Sequence, residues 1–167
     1  MTSLAPPPLR PATDADGPAL AALIAACFAE YDGCVFDRRE FPELAAIADH
    51  FARADGRLWV ADGGGAIVGS LGARPRDGDG IELLKVYVAR PWRGGGLAAR
   101  LLDAAFAFAR ARGAARLELW SDTRFTRAHA FYEKHGFAPT GERRFLADVS
   151  DTWEYRFVRI LDETAAR

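Results

Sequence analysis

Apolar residues recur along this chain at the spacings of helices and strands, and the two spacings follow each other in a definite order. Helices are predicted to begin after a capping box at Thr13 and Asp16, near Pro42, at Leu97 and around Phe125. The last two helices end at glycines that are typical of helix C-caps, Gly113 and Gly136. Strands are predicted near Leu9–Arg10 and over residues 57–61, 66–73, 81–89, 116–120, 137–145 and 153–160.

The predicted order is β-α-α-β-β-β-α-β-α-β-β, which places hairpins in the first half and crossovers in the second. This order favours an α/β (α+β) fold in which helices pack on a mixed sheet. A chain of 167 residues is long enough to bury a sizeable core, and it contains no internal repeat or long linker. We therefore expect one domain over residues 1–167, with the Pro-rich residues 1–8 as a flexible lead-in.

The composition of the chain excludes several classes of function. Charged residues make up 27% of the chain, but the net charge is only -1, which argues against a nucleic-acid partner. Cys27 and Cys34 are the only cysteines, and with three histidines they form no zinc-ligand spacing, so no metal is expected. The sequence shows neither a signal-like leader nor a membrane span, so we expect a reduced cytoplasmic protein without a membrane partner.

The segment 86–98 carries the most informative pattern, because a hydrophobic strand runs into three glycines and a helix begins directly after them. Glycines let main-chain N–H groups converge on a ligand, and a helix N-terminus adds unpaired N–H groups and a positive dipole. Together with Arg90 and Arg93 they predict a binding nest for an anion such as pyrophosphate. A tight strand-to-helix connection would use the same glycines without any ligand. Neither the Walker A loop nor the Gly-x-Gly-x-x-Gly dinucleotide motif matches this segment.

The same turn resembles the acetyl-CoA-binding motif of the GNAT superfamily, Arg/Gln-x-x-Gly-x-Gly/Ala, at Arg93, Gly96 and Ala98. Residues 131–137 are similar to that family's Tyr-Glu-Lys-x-Gly-Phe segment, and the predicted order of elements matches the GNAT fold across nearly the whole chain. The resemblance implies the GNAT acyl-CoA N-acyltransferase fold. That fold has a mixed, mostly antiparallel sheet of six to seven strands flanked by about four helices.

The resemblance also implies acetyl-CoA as the co-substrate and assigns residues to it. Main-chain groups of Val86, Tyr87 and Val88 would pair with the pantetheine arm as though it were an added strand. The strands on either side of the glycine turn would splay apart to admit the arm, and an amide near Val88 would polarise the thioester carbonyl. The pyrophosphate would be held by N–H groups of Arg93, Gly94, Gly95, Gly96, Leu97 and Ala98.

Acetyl transfer to an amine requires an acid, and the resemblance places the Tyr132 hydroxyl near the CoA sulfur. A phenol there can protonate the departing thiolate, whereas the alternative is a tyrosine that only packs against the sheet. One departure from the family pattern lies close by in sequence. Seven residues before the motif tyrosine, where many members have Asn, this chain has Phe125.

Glu82 is the candidate base, because some GNAT enzymes use a carboxylate on the strand that precedes the glycine turn. Strict alternation would place Glu82 on one face of the strand with Leu84, Val86 and Val88. A carboxylate among apolar neighbours loses hydration, which would raise its pKa towards a useful value. The alternative is a solvated surface carboxylate without a catalytic role.

The resemblance therefore implies an N-acetyltransferase that moves the acetyl group of acetyl-CoA to a primary amine of a small molecule or peptide, by direct transfer in a ternary complex. The alternative is a non-catalytic acyl-CoA-binding or sensor module with the same fold, and a longer acyl group is a variant. In this fold two loops usually choose the acceptor, here residues 31–41 and 144–152, whose mixed charges leave the amine unidentified. An unpaired edge among the last strands also allows a homodimer.

Overall fold

The structure is a computed structural model that describes residues 5–161 as one seven-stranded sheet with helices on both faces. The order of elements predicted from the sequence is confirmed along the described chain. The strands are β1 (Leu9–Pro11), β2 (Arg57–Asp62), β3 (Ile67–Arg76), β4 (Gly80–Val88), β5 (Arg116–Asp122), β6 (Ala138–Phe145) and β7 (Trp153–Ile160). The α-helices are α1 (Gly17–Phe28), α2 (Ile47–Arg53), α3 (Leu97–Ala111) and α4 (Thr126–Lys134).

The sheet is mixed and mostly antiparallel, with the strand order β1-β2-β3-β4-β5-β7-β6. β4 and β5 form its parallel pair, and they pair only where residues 80–83 lie beside residues 116–119. Beyond that point the two strands diverge, while β4 continues along β3 and β5 continues along β7. The carboxyl ends of β4 and β5 therefore enclose a gap inside the sheet, as the sequence resemblance predicted.

Two apolar clusters fix the helices on opposite faces of the sheet. On one face, α3 buries Leu101 and Leu102 almost completely against β3, β4 and β5, next to Tyr132 of α4. On the other face, α1 and α2 pack with β2, and Ile24 and Ile47 are fully buried there. Burial of each such side chain stabilises the folded state by about 1.5–3 kcal/mol. Both helical layers therefore hold the sheet firmly around the gap.

A β-bulge at Lys85 interrupts the alternation that the sequence predicted for β4. Lys85 has a positive φ of 53°, and the pairing of β3 with β4 shifts register beside it. Because a bulge adds one residue, the strand reverses its faces beyond it. Glu82 faces the α1 and α2 side, but Val86 and Val88 pack with the α3 cluster and Tyr87 takes the Glu82 side instead. The expectation that Glu82 shares a face with Val86 and Val88 is therefore wrong.

The start of the second helix also differs from the expected α-helix at Pro42. A 3-10 helix spans Pro42–Ala46, and α2 begins only at Ile47. Gly17 explains part of this geometry, because an ideal Cβ on Gly17 would lie 2.0 Å from the carbonyl oxygen of Leu44. The first turn of α1 thus touches the main chain of the 3-10 helix, and only glycine fits at that contact.

Replacement of Gly17 by Ala is expected to lower the free energy of unfolding by about 1–3 kcal/mol, because the main chain at Leu44 must move to accommodate a methyl group. Chemical denaturation measures this difference. The matched control is Gly95→Ala, since an ideal Cβ on Gly95 meets nothing within 4 Å. Equal stability of the two variants would contradict the close contact.

The ends of the described chain are anchored to the sheet. In the predicted flexible lead-in, Pro7 is buried, and the carbonyl groups of Pro7 and Pro8 accept hydrogen bonds from Arg100 and the Asp62 amide. Residues 1–4 of that lead-in lie outside the described residues.

β6 forms one edge of the sheet, and all of its residues are exposed. A homodimer through that edge stays a prediction. Among residues 5–161 no helix is both long and apolar enough to cross a membrane.

Candidate active site

The gap between β4 and β5 exposes main-chain groups of β4. The amide of Ala89 donates to the carbonyl of Val68 in β3, so the alternation of an antiparallel ladder turns Val86 and Val88 towards the gap. The same alternation turns the main chain of Tyr87 towards β3, and Tyr87 instead contributes its side chain to the site. Of the three strand residues proposed for the pantetheine arm, two therefore turn their main chain towards the gap, although the Val88 carbonyl already accepts a hydrogen bond from Arg93.

The glycine turn after β4 has the geometry of an anion-binding nest. Gly94 and Gly96 have φ values of 81° and 85°, in the left-handed region that side chains rarely adopt. An ideal Cβ on either glycine would meet nothing within 4 Å, so the turn is open rather than packed. α3 begins at Leu97, and its first amide groups point towards the open side because no earlier turn accepts from them.

The Arg93 side chain braces the turn instead of projecting from it. Its two terminal nitrogens bind both carboxylate oxygens of Glu30 at 2.7 and 2.6 Å, and its Nε donates to the carbonyl of Val88 at 3.0 Å. The Arg93 guanidinium lowers the pKa of Glu30, and the pair ties the end of α1 to the mouth of the gap. Glu30 was not predictable from the sequence, because no motif links the residues after α1 to the glycine turn.

Tyr132 lies at the centre of the site, on the α4 stripe that packs against β5 and β7. Its residue is only 4% exposed, and burial raises the pKa of its phenol well above the usual range. No buried polar side-chain atom of the described residues lacks a partner, yet Tyr132 forms no hydrogen bond with the protein there. Its hydroxyl is therefore the part of the ring that opens into the cleft.

Two cavities meet at this tyrosine. The first, which we call the cofactor cleft, has a volume of about 380 Å³ and runs along the glycine turn and α4. The second, the acceptor pocket, has a volume of about 350 Å³ and lies between β4, β5, β7 and the two loops predicted to choose the acceptor. Both cavities are lined by Val86, Tyr87, Phe125 and Tyr132. Two reactants bound in them would approach each other at the Tyr132 hydroxyl.

The cofactor cleft collects most of the residues that the sequence resemblance assigned to acetyl-CoA. Gly95 is the one assigned residue that does not line it. Cys27 and Arg127 also form part of its wall. The assigned residues that line it are Val86, Tyr87, Val88, Arg93, Gly94, Gly96, Leu97 and Ala98.

Glu82 lines the acceptor pocket, but its surroundings differ from those expected. The residue is 5% exposed, and its Oε2 accepts from Arg74 at 3.1 Å and lies 3.2 Å from Arg76. Two guanidinium groups therefore contact this carboxylate, which the expectation of purely apolar neighbours did not include. The expectation of apolar neighbours rested on unbroken alternation along β4, and the bulge at Lys85 removes that basis.

Phe125, where many GNAT members have Asn, closes the junction of the two cavities with an aromatic ring. Its ring centroid lies 4.8 Å from that of Tyr31 and 6.1 Å from that of Phe28. Phe28 in turn packs edge-on against Tyr87. The departure from the family pattern is therefore part of an aromatic cluster that joins α1, its following loop and α4.

Hydrogen bonds that we call the loop clasp join the two loops that contribute Glu40, Phe41, Leu146 and Asp148 to the acceptor pocket. The Ser150 hydroxyl accepts from the Val35 amide at 2.8 Å and donates to the Val35 carbonyl at 3.2 Å. The Val149 amide donates to Glu40 at 3.0 Å. The two loops that the sequence analysis singled out are thus joined to each other at the mouth of the pocket.

Known proteins resemble this chain in both sequence and fold. The sequence profile of the Acetyltransferase (GNAT) family matches residues 20–137. The uncharacterized N-acetyltransferase YjgM of Escherichia coli K12 is 34% identical over 145 residues, which cover 82% of this chain and 86% of that protein. The chain also matches N-acetyltransferases of mouse and rat, but it spans only about half of their length. For one mouse protein the matched part is 46% of the whole.

Solved structures share the fold. A GNAT-family acetyltransferase from Staphylococcus aureus Mu50 superposes with a TM-score of 0.79 at 21% identity, over 93% of this chain and 99% of that one. The structure of yncA from Salmonella typhimurium with its cofactor acetyl-CoA gives a TM-score of 0.69 at 20% identity, over 93% and 94% of the two chains. On the profile match, the relatives and the divided sheet with its glycine turn, the chain belongs to the GNAT acetyltransferase family.

Proposed function

We propose that this protein is an N-acetyltransferase that moves the acetyl group of acetyl-CoA to a primary amine of a small molecule or peptide, in a ternary complex of both substrates. The observation that carries the proposal is the meeting of two separate cavities at the Tyr132 hydroxyl. A single-ligand site would need only one of them. Direct transfer requires that both substrates be bound together, and this arrangement provides a place for each.

The residues of the cofactor cleft fit acetyl-CoA, which supplies an acetyl group activated as a thioester. The open turn at Gly94 and Gly96 leaves room for the pyrophosphate beside free amide groups of α3. The main chain of Val86 and the amide of Val88 face the gap, where they can pair with an extended amide-containing arm. The Salmonella relative of similar fold, whose structure contains acetyl-CoA, supports the same cofactor for this chain.

Three parts of the chain then act on the reaction. The acceptor pocket orients the amine towards the gap, where reaction within a bound complex avoids the entropy cost of a bimolecular encounter. The amide of Val88 polarises the acetyl carbonyl as negative charge develops on its oxygen. The Tyr132 hydroxyl donates its proton to the departing sulfur, a role that a phenol with a raised pKa performs without ionising beforehand.

The alternative is a non-catalytic acyl-CoA-binding module of the same fold. Such a module needs the cofactor cleft but has no use for a second cavity or for a phenol whose hydroxyl opens between the two. The acceptor pocket therefore favours turnover over binding alone.

Titration of the purified protein with acetyl-CoA in a calorimeter is expected to show one saturable site with a Kd between about 1 μM and 1 mM, the usual range for enzyme substrates. A free-thiol assay with a panel of primary amines then measures turnover. Folded protein that binds no acetyl-CoA at about 1 mM would overturn the proposal. Binding without any amine-dependent thiol release would favour the non-catalytic module.

A further inference from the structure

The acceptor pocket has one aromatic wall and one acidic wall. The aromatic wall is formed by Phe28, Phe41, Tyr87 and Phe125, whose rings are linked through Phe28 at centroid distances of 6.0 to 6.2 Å. The acidic wall holds five carboxylates. They are Glu40, Glu82, Asp122, Asp148 and Glu154. A ligand that fits both walls carries an apolar body and a positive charge.

The cations of the pocket are already neutralised. Lys85 lies against Glu43 and Arg144 binds Glu154, so the charge of each cation is balanced by a carboxylate of the protein. Arg124, which lies behind the wall, is bound to Asp122 and to the Thr152 hydroxyl. Within the described residues each cation of the lining is therefore already ion-paired with a carboxylate, while the lining itself carries five carboxylates.

Glu154 is the carboxylate best placed to receive an amine. It lies on β7 opposite Asp122 of β5, and its side chain is 15% exposed. Its Oε1 accepts from Arg144 at 2.7 Å, and Arg144 stacks over Trp120, so one carboxylate oxygen is held and the other is left to the pocket. Burial raises the pKa of Glu154, and the nearby charges of Asp122 and Asp148 act in the same direction, while Arg144 opposes them.

Glu82 is less suited to that role, although it lines the same pocket. Its Oε2 is shared by Arg74 and Arg76, so an ammonium ion approaching it would meet two positive charges. The ammonium ion and the two guanidinium groups would repel each other, and this repulsion is stronger in a partly desolvated pocket than in water. Glu154 is bound by the single guanidinium of Arg144, so the geometry favours Glu154 over Glu82 as the partner of the amine.

We propose, on the basis of the proposed function, that the acceptor is a cationic primary amine on an aromatic or other apolar body without a carboxylate, and that Glu154 binds its ammonium group and takes its proton. The apolar body lies against the ring cluster of Phe28. The ammonium group lies against the second oxygen of Glu154. A substrate with a carboxylate beside its amine is disfavoured, because that carboxylate meets the acidic wall and only cations that are already ion-paired with the protein.

The proton balance follows from this arrangement. The ammonium group gives one proton to Glu154, and the neutral nitrogen then forms a bond to the acetyl carbon as the carbon–sulfur bond breaks. The nitrogen loses its second proton as the amide forms. Tyr132 gives its proton to the departing sulfur and is reprotonated by the one released from nitrogen. The net products are the amide, the free thiol and one proton, which leaves Glu154 for solvent.

Two probes that differ by one carboxylate test the substrate class. Calorimetry on the CoA-saturated protein is expected to detect 2-phenylethylamine, and to show phenylalanine bound at least about tenfold more weakly, because its carboxylate stays unpaired. Equal or tighter binding of phenylalanine would overturn the inference. So would the binding of neither probe to protein that still binds CoA, an outcome that leaves the proposed cofactor site standing. Failure to bind CoA itself would instead contradict the proposed function.

Three glutamine variants test the role of Glu154. Glu154→Gln is expected to weaken 2-phenylethylamine binding at least about tenfold and to lower its turnover about 100-fold, with unchanged affinity for acetyl-CoA. Glu142→Gln is the matched control, since it also removes an ion pair with an arginine on the last strands but lies outside the pocket. A loss in Glu82→Gln with full activity in Glu154→Gln would assign the role to Glu82 and overturn the proposal. If Glu154→Gln does not fold, the comparison of the two probes on the native protein still decides the substrate class.

Discussion

Tyr132→Phe is expected to lower kcat by about 10²- to 10⁴-fold, the usual contribution of a positioned proton donor, while the Kd for acetyl-CoA stays unchanged. The substitution removes only the hydroxyl oxygen. The ring continues to pack against Phe137 and Phe157, whose centroids lie 5.9 and 5.8 Å away, so the α4 stripe is preserved. Steady-state kinetics with the best amine of the panel and calorimetry with acetyl-CoA measure the two quantities separately.

The matched control for this prediction is Tyr155→Phe. Tyr155 lies on β7, is 37% exposed and lines neither cavity, so loss of its hydroxyl should leave kcat unchanged. A Tyr132→Phe variant with full kcat would remove Tyr132 from the proton transfer. If the variant also loses affinity for acetyl-CoA, the phenol contributes to cofactor binding and its effect on kcat cannot be assigned to proton transfer.

Gly96→Val is expected to weaken acetyl-CoA binding by at least about 100-fold, the loss of two charge-assisted hydrogen bonds of roughly 1.5–3 kcal/mol each. Valine disfavours the φ of 85° at this position, and its branched side chain stands where the pyrophosphate would approach the amide groups of α3. Calorimetric titration with acetyl-CoA measures the loss. Retention of native affinity would mean that the phosphates are bound elsewhere.

Backbone strain at Gly96 needs its own control, because a β-branched residue at positive φ destabilises any protein. Gly64→Val provides it: Gly64 has a φ of 87°, and an ideal Cβ there also meets nothing within 4 Å. Both variants should lose similar thermal stability, since a side chain in this region costs about 1–2 kcal/mol. Only Gly96→Val should lose the cofactor.

The fold and the cofactor cleft were largely predictable, because each depends on local sequence. The order of strands and helices follows from apolar spacing and from terminal residues such as Gly113 and Gly136. The glycine turn was recognisable because Gly94 and Gly96 adopt conformations that other residues avoid, so the sequence must show them. Residues proposed to bind through their main chain, such as Val86 and Val88, follow from their position on the strand.

The acceptor pocket was not predictable, because it depends on pairings between distant elements. The bulge at Lys85 has no sequence signal, since the residue there is not a glycine, and it reverses the faces of β4 beyond it. The arginines on Glu82 come from the neighbouring strand in a register that no local pattern reports. Glu154 lies in an ordinary alternating strand, and its proposed role depends on Arg144 and Asp122, which only the pairing of β7 with β6 and β5 places beside it.

The loop clasp leaves two positions at the pocket mouth open to evolutionary change. Ser150 binds the main chain of Val35, and Glu40 binds the main chain of Val149, so neither valine side chain takes part in the contact. Both valines are about half exposed, at 50% and 53%. Substitutions at positions 35 and 149 can therefore change the exposed surface of the two loops while the loops stay joined, whereas substitutions at Ser150 or Glu40 would separate them.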